Sequence, residues 1–381
     1  MSIPPLAGFV VAVTADRRAE EQTLLLQRRG AEVVHAPAVR TLPIVDGDQL
    51  AARIEDLIAR PPDVLVLLTG IGTRSLFAAA EGLGLDAALA DALAGSRIVA
   101  RGPKATGAAT TVGLQVAWSA ASERSDEILR HLAADARAGA RVAVQRDGQR
   151  APSFADSLAA LGADAVDVPV YRWELPLDTR PALRLVQSVV DRSVDAVTFT
   201  SKPALCHLVE LAAGAGLDDA LVVALSTDVV PVCIGPVCAE TAASLGITDV
   251  VVPARARLGA MVLSLAAVLG ARSRTIATAP AEVTLQGRAL FVDGVASPLG
   301  GRERAVLTLL ADAEGAVVPK SRLLRDVWGP DFDDDHAVEV AVGRLRRALG
   351  PAGGAVETVA RRGYRLGSCP TPRPAAAGAV T

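Results

Sequence analysis

Short β-branched apolar runs alternate with amphipathic or Ala/Leu-rich stretches from residue 9 to residue 265. Ten runs predict strands: FVVAVT, AEVVHAP, DVLVLLT, SRIVAR, LQVAWS, ARVAVQR, AVDVPVYR, DAVTFTS, PVCIG and DVVVP. Strands buried on both faces read as continuous apolar runs, and strands alternating with helices predict an α/β fold with parallel sheets. Ten strands suit two five-stranded sheets. One plan also repeats. DVLVLLTGIGTRSLFAAA (63–80) and DAVTFTSKPALCHLVELA (195–212) each give a strand ending in Thr-Gly or Thr-Ser and then a helix. Each is followed by a Gly-Pro unit, 33 residues on from Thr69 to Gly102 and 35 from Thr200 to Gly235. Duplication of a βαβ plan is the simplest cause.

The pattern changes after Leu269. GARSRTIATAPAE is small, polar and basic, so residues 270–280 are expected to be a linker. The Pro/Ala-rich residues 368–381 are expected to be a disordered tail. Between them, residues 281–367 form a domain-sized unit with three amphipathic helices. Ala305, Leu307, Leu309 and Leu310 are the expected inner face of the first helix, and Leu323, Leu324 and Val327 that of the second. On the third, DHAVEVAVGRLRRAL, a spacing of 4, 3 and 4 puts Val338, Val342, Leu345 and Leu349 on one face. The opposite side carries His336, Val340, Gly343, Arg344 and Arg347, with Arg346 on the flank. VETVARRGYRL then alternates as a β-ribbon does.

Charge adds a contrast. The chain is acidic overall, at −3, which by itself argues against a nucleic-acid partner. From Arg344 to Arg365, however, six arginines stand against one acid, Glu357. Val340 suits a thymine methyl, Gly343 permits close backbone approach, and the arginines suit guanine edges or phosphates. The plain alternative is a solvated helix face. The four cysteines match neither a metal pair nor a disulfide framework and read as small buried thiols. No apolar run is long enough to span a bilayer, and the first one lacks a basic lead and predicts a strand rather than a signal peptide. A cytoplasmic address with no membrane partner is expected.

Leu299, Glu303, Leu307 and Leu310, then Val327-Trp328-Gly329, VEVAVGRLRRAL and TVARRGYRL, resemble the winged helix-turn-helix domain of the OmpR/PhoB class of bacterial transcription regulators. The resemblance implies double-stranded DNA as partner, the third helix in the major groove and the wing on the minor groove or backbone. It makes Arg344, Arg346 and Arg347 helix contacts and Arg361 and Arg362 wing contacts. Where the family wing reads Thr-Val-Arg-Gly-x-Gly-Tyr, this chain has Ala360-Arg361 in place of Arg-Gly. The acidic run from Asp331 to Asp335 has two readings: Asp334 or Asp335 caps the third helix, or, as the family implies, the loop touches RNA polymerase. A receiver domain of the kind usual in this class is not expected upstream, because the first strand offers only Asp16 and the third ends in Leu68-Thr69.

FTSKPA (199–204), IGPVCAETAASLG (234–246), VQRDGQR (144–150) and PVYRWELP (169–176) resemble the uroporphyrinogen-III synthase family. That resemblance implies two α/β lobes joined by a two-stranded connection, with lobe one at about 1–39 and 172–269 and lobe two at about 40–171. It implies an anionic, tetrapyrrole-like ligand gathered by strand ends and helix N-termini, with no metal and no cofactor. Implied cleft residues are Thr69, Gly70, Gly72, Thr73, Gly102, Lys104, Arg146, Thr200, Ser201, Lys202 and Gly235; caps and tight turns explain the Gly and Thr positions equally well. Tyr171 is the implied proton donor if the module is an enzyme. The Thr often found two residues after Gly-Pro is replaced by Ala105 and Cys238, hydroxyls expected to face the cleft. The reading that follows is a transcription regulator with a synthase-like sensing module, similar to actinobacterial regulators of nitrate and nitrite assimilation. A working synthase with an attached DNA-binding domain, and a module that binds another regulator, stay open beside it.

Overall fold

A computed structural model describes residues 2–43, 47–134, 139–146, 154–276, 278 and 280–367. The chain forms two compact units: Met1–Ala36 with Arg180–Thr381, and Pro37–Thr179. The boundaries between the units thus fall at 36/37 and 179/180. The tail at 368–381 lies outside the described residues, as does the Asp147–Arg150 part of VQRDGQR.

Lobe one opens with β1 (Val10–Val13), α1 (Ala19–Gln27) and β2 (Glu32–His35). The chain then builds the second unit from β3 (Arg40–Pro43), α2 (Gly47–Ala59), β4 (Val64–Leu67), α3 (Gly70–Gly82), α4 (Asp86–Leu93), β5 (Arg97–Ala100) and α5 (Pro103–Thr111). It continues with β6 (Val116–Ser119), α6 (Ser125–Ala134), β7 (Arg141–Gln145), α7 (Phe154–Ala160), β8 (Asp164–Val168) and β9 (Tyr171–Glu174). The parallel sheet of this unit runs β6-β5-β4-β7-β8. The single run AVDVPVYR is divided: its second half leaves the sheet as β9 and pairs antiparallel with β3, Arg40 opposite Glu174. That pairing is why the Tyr171 strand belongs to this unit.

Back in lobe one come α8 (Arg180–Val190), β10 (Ala196–Phe199), α9 (Lys202–Gly214), α10 (Asp218–Thr227), β11 (Val230–Cys233), α11 (Pro236–Ser244) and α12 (Leu258–Gly270). The sheet has four strands, β11-β10-β1-β2, not five. DVVVP contributes one bridge, Val251 to Val232, because it meets the edge at a single residue. Every residue of β1, β10 and β11 is buried, as a parallel sheet covered by helices demands. Thr14 Oγ1 donates to Thr198 O at 2.7 Å and Gln22 Nε2 to Thr198 Oγ1 at 2.7 Å, which pins α1 to the strands. The duplication survives in the helix starts. Thr69 and Ser201 cap α3 and α9 through their hydroxyls, whereas α5 and α11 both open on Gly-Pro, where the missing proline N–H removes one unpaired donor.

Part of the expected linker is a strand. Arg274–Ile276 is β12, the first strand of an antiparallel sheet completed by β13 (Val283–Gln286), β14 (Ala289–Val292) and β15 (Val295–Ser297). A turn signal for it was present: Asp293-Gly294 takes φ of 50° and 75° between paired Val292 and Val295, the geometry of a two-residue primed hairpin turn. Then follow α13 (Gly301–Asp312), α14 (Lys320–Trp328), α15 (Asp335–Ala348), a 3₁₀ turn (Gly350–Ala355), β16 (Val356–Val359) and β17 (Gly363–Leu366). On α13 the inner face is Val306, Leu307, Leu310 and Ala311, with Ala305 and Leu309 only half-buried, one position round from the expected stripe. Val338, Val342, Leu345 and Leu349 of the third helix are all buried. Leu345→Ala should therefore cost about 2–5 kcal/mol of stability in this domain, read as an earlier denaturant midpoint; a midpoint that stays put would mean the stripe is not core.

Candidate functional site

The rotation of α15 is set by its buried stripe, and Ala341 joins it at 3 % exposure. Asp334, rather than Asp335, is the N-cap, accepting from His336 N at 2.9 Å. His336, Val340, Arg344 and Arg347 are exposed together on the outer face. A Cβ added at Gly343 would meet nothing within 4 Å, so packing does not require glycine there. It leaves bare helix backbone among exposed arginines. Glu339, the acid on this face, accepts from Lys320 Nζ at 2.6 Å, and that bond, with the lysine's charge and then His336, holds its carboxyl below the usual range. Its charge is thereby countered beside the exposed arginines.

The six arginines divide into different jobs. Arg346 donates from Nε and Nη2 to Val356 O at 2.9 and 2.6 Å, and from Nη2 to Thr358 Oγ1 at 2.8 Å. It straps α15 to the first wing strand, a role beyond the helix contact expected of it. Arg365 pairs with Glu357 directly across the ribbon at 2.6 Å. Arg344 Nη1 lies 3.6 Å from Glu303 Oε1 yet stays 62 % exposed. Arg347, Arg361 and Arg362 are exposed.

The wing turn explains the departure from the family pattern. Arg361 adopts φ 61°, the left-handed conformation that glycine accepts without strain, and Arg362 N closes the turn onto Val359 O at 3.0 Å. An arginine side chain thus stands where only backbone would otherwise be. Gly363 is obligatory: at φ 133°, a Cβ would overlap Val318 O, and Tyr364 exchanges hydrogen bonds with Val318 at 2.7 and 3.0 Å. This ties the wing to the α13–α14 connection.

In the second unit, Thr69 accepts from Gly72 N at 3.0 Å, its own N–H donates to Gln145 Oε1 at 3.1 Å, and its Oγ1 lies 3.3 Å from Tyr171 Oη. Tyr171 is 3 % exposed, edge-on to Trp173 at 5.6 Å between ring centroids. Thr73 is fully buried and donates to Thr69 O. Gly70 and Gly72 are glycines for packing: a Cβ would overlap the Lys104 carbonyl at the first and the Gln145 amide at the second. Gly102 is buried, Lys104 exposed, and Arg146 Nη1 lies 3.3 Å from Asp167 Oδ2. Gln145 is fully buried; as a lone glutamine at a strand end it carries no pattern of its own in the sequence.

In lobe one, Ser201 Oγ accepts from Ala204 N at 3.4 Å, Thr200 is half-buried, Lys202 exposed and Gly235 buried at the start of α11. Ala105 and Cys238 do not face open surface; they are 2 % and 3 % exposed. Cys238 Sγ lies against Phe199 O, and its thiol is pushed far up by the neighbouring Cys233 thiol and by burial, so it is protonated and inert. No group of three or more metal-ligating side chains occurs among the described residues. No helix among them is long and apolar enough to cross a membrane.

Comparison with known proteins separates the same two parts. The family model for uroporphyrinogen-III synthase HemD matches residues 20–263, and that for the C-terminal domain of transcriptional regulatory proteins matches 294–366. The uncharacterized protein YjjA of Bacillus subtilis is 26 % identical over 68 % of this chain and 96 % of its own. The crystal structure of a mutant uroporphyrinogen III synthase from Thermus thermophilus superposes with a TM-score of 0.57 at 29 % identity, covering 68 % of this chain and 97 % of that one. Transcriptional regulatory protein PrrA of Mycobacterium tuberculosis is 43 % identical over 83 residues, 22 % of this chain and 36 % of PrrA.

Two substitutions separate strap from contact. Arg361→Gly relieves the left-handed strain, so stability should change by no more than about 1 kcal/mol, while the salt dependence of DNA binding should lose about one unit of slope. Arg346→Ala should lower both the melting temperature and affinity for every DNA sequence; a variant that binds and melts like the parent removes the strap.

Proposed function

The chain belongs to the uroporphyrinogen-III synthase family, HemD, and carries a C-terminal winged-helix domain of the OmpR/PhoB transcription-regulator type; from that premise we propose that it is a transcription regulator in which a synthase-like module senses a ligand. One observation carries the DNA half of the proposal. Val340, Gly343, Arg344 and Arg347 present an apolar contact, open backbone and cations on the face opposite the buried stripe, with Arg361 and Arg362 exposed on the adjoining ribbon. Each arginine well placed on a guanine edge contributes about 1–3 kcal/mol of discrimination, and those on phosphates add sequence-independent affinity.

The ligand proposed is anionic and tetrapyrrole-like. Exposed Lys104 and Lys202 stand in the first turns of α5 and α9, where helix dipole and side-chain charge act in the same direction. Control of nitrate and nitrite assimilation is the regulon this reading favours, since nitrite reduction draws on the same tetrapyrrole precursor. Asp331 and Asp333–Asp335 are exposed beside the helix and suit a contact with RNA polymerase. Binding of another regulator by the synthase-like module is the form the proposal takes if no small ligand is found. A second reading, a working synthase, is favoured by Tyr171, whose hydroxyl lies beside Thr69.

Genome-wide footprinting tests the first reading: protected promoters should include genes of nitrite or tetrapyrrole metabolism, and uniform, sequence-blind occupancy would contradict it. Incubation with hydroxymethylbilane tests the second. The regulator reading expects only the spontaneous type-I product, whereas type-III product formed at a rate that falls with Tyr171→Phe would make the module an enzyme.

A further inference from the structure

Away from its DNA-facing side, the winged-helix domain meets lobe one at the Gln286–Ala289 turn between β13 and β14. Arg288 N donates to Gly8 O at 2.7 Å. Gln286, 5 % exposed, donates from Nε2 to Pro4 O at 2.8 Å and Ala7 O at 2.9 Å, while its Oε1 accepts from Ser273 Oγ at 3.0 Å. Every polar atom of that amide is used, and two of its partners are lobe-one carbonyls. Arg288 Nη2 donates to Arg192 O at 3.2 Å, and its Nε lies 3.7 Å from Asp195 Oδ2, the oxygen that also accepts from Val10 N at 2.7 Å.

Backbones interlock at the same place. Gly8, at φ 80°, has no room for a Cβ, which would overlap Gln286 O and Ala289; Gly287, at φ 55°, is likewise closed by Gly8 O and the Phe9 ring. Two glycines from the two domains thus face one another. Burial, and then the charge of Arg288, lower the basicity of the half-buried Arg304 on α13. Only Ala271–Ser273 separate α12 from β12, too few to act as a flexible tether.

We propose that this contact is a clasp that makes lobe one and the winged-helix domain one rigid body. Its residues include none from α15 or the wing, so the DNA-facing arginines stay exposed while clasped. A duplex bound at α15 therefore holds lobe one at a fixed position, and movement of lobe one is carried to the helix without a hinge. The clasp stands independently of the sensing proposal; its regulatory use rests on it.

The test is hydrogen exchange on the full chain without DNA or ligand, comparing wild type with Gln286→Ala/Arg288→Glu, which removes clasp bonds and leaves the glycine turn intact. Peptides covering residues 4–11 and 283–290 should be protected in wild type and exchange about tenfold faster in the variant, with α15 unchanged. Ala289→Glu, which wedges the contact open at Gly8, should give the same pattern. A promoter gel shift on the variants should stay within about twofold, as for independent sites. Loop-like exchange at 283–290 in wild type, or protection unaltered in both variants, would overturn the clasp. Failure of wild type to shift any DNA would instead end the regulator reading and leave the clasp untouched.

Discussion

The burial of one narrow stripe decides what this protein can touch. Val338, Ala341, Val342, Leu345 and Leu349 pack into the winged-helix core, and a helix has only one rotation that buries them all. That rotation sends Arg344 and Arg347 outward and leaves Gly343 open between them. Arg346, on the flank, bonds to Val356 and Thr358 and so fixes the wing against the same helix. The cationic surface is thus a product of core packing. Its charges are held apart at fixed spacing by apolar contacts that salt does not weaken, while their own attraction for phosphate is salt-sensitive.

Much of this was legible because periodicity and burial obey the same geometry. The 4-3-4 spacing on α15 located its core face, and β-branched runs located nine strands of the two parallel sheets. What was not legible depended on partners distant in sequence. DVVVP has the composition of a strand but meets the sheet edge at one residue, and composition cannot report an edge. The 270–280 stretch looks like a linker because its residues are small and polar, yet pairing with β13 makes Arg274–Ile276 a strand. Nor does local pattern show that Val356 and Thr358, ten and twelve residues on, lie within reach of Arg346.

The synthase-like half shows how the same residue types serve two ends. Thr69, Gly70, Gly72 and Thr73 read equally well as a ligand cradle or as a capped helix start, and their coordinates include the cap: hydroxyl to backbone, glycine against carbonyl and amide. Gln145 completes that arrangement from a neighbouring strand. Lys104 and Lys202 stand exposed beside these helix starts. Ala105 and Cys238, buried under their helix starts, offer no hydroxyl to any substrate.

The account rests on sequence-selective DNA recognition by α15 and its wing. The most direct measurement is the association constant of the full chain for a footprinted promoter fragment and for random DNA across a series of salt concentrations. With Arg344, Arg347, Arg361 and Arg362 engaged, the logarithm of the constant should fall with log salt at a slope of about −3 to −4, and the promoter should bind about a thousandfold or more tighter than random sequence. A flat salt dependence, or equal affinity for both DNAs, would contradict it.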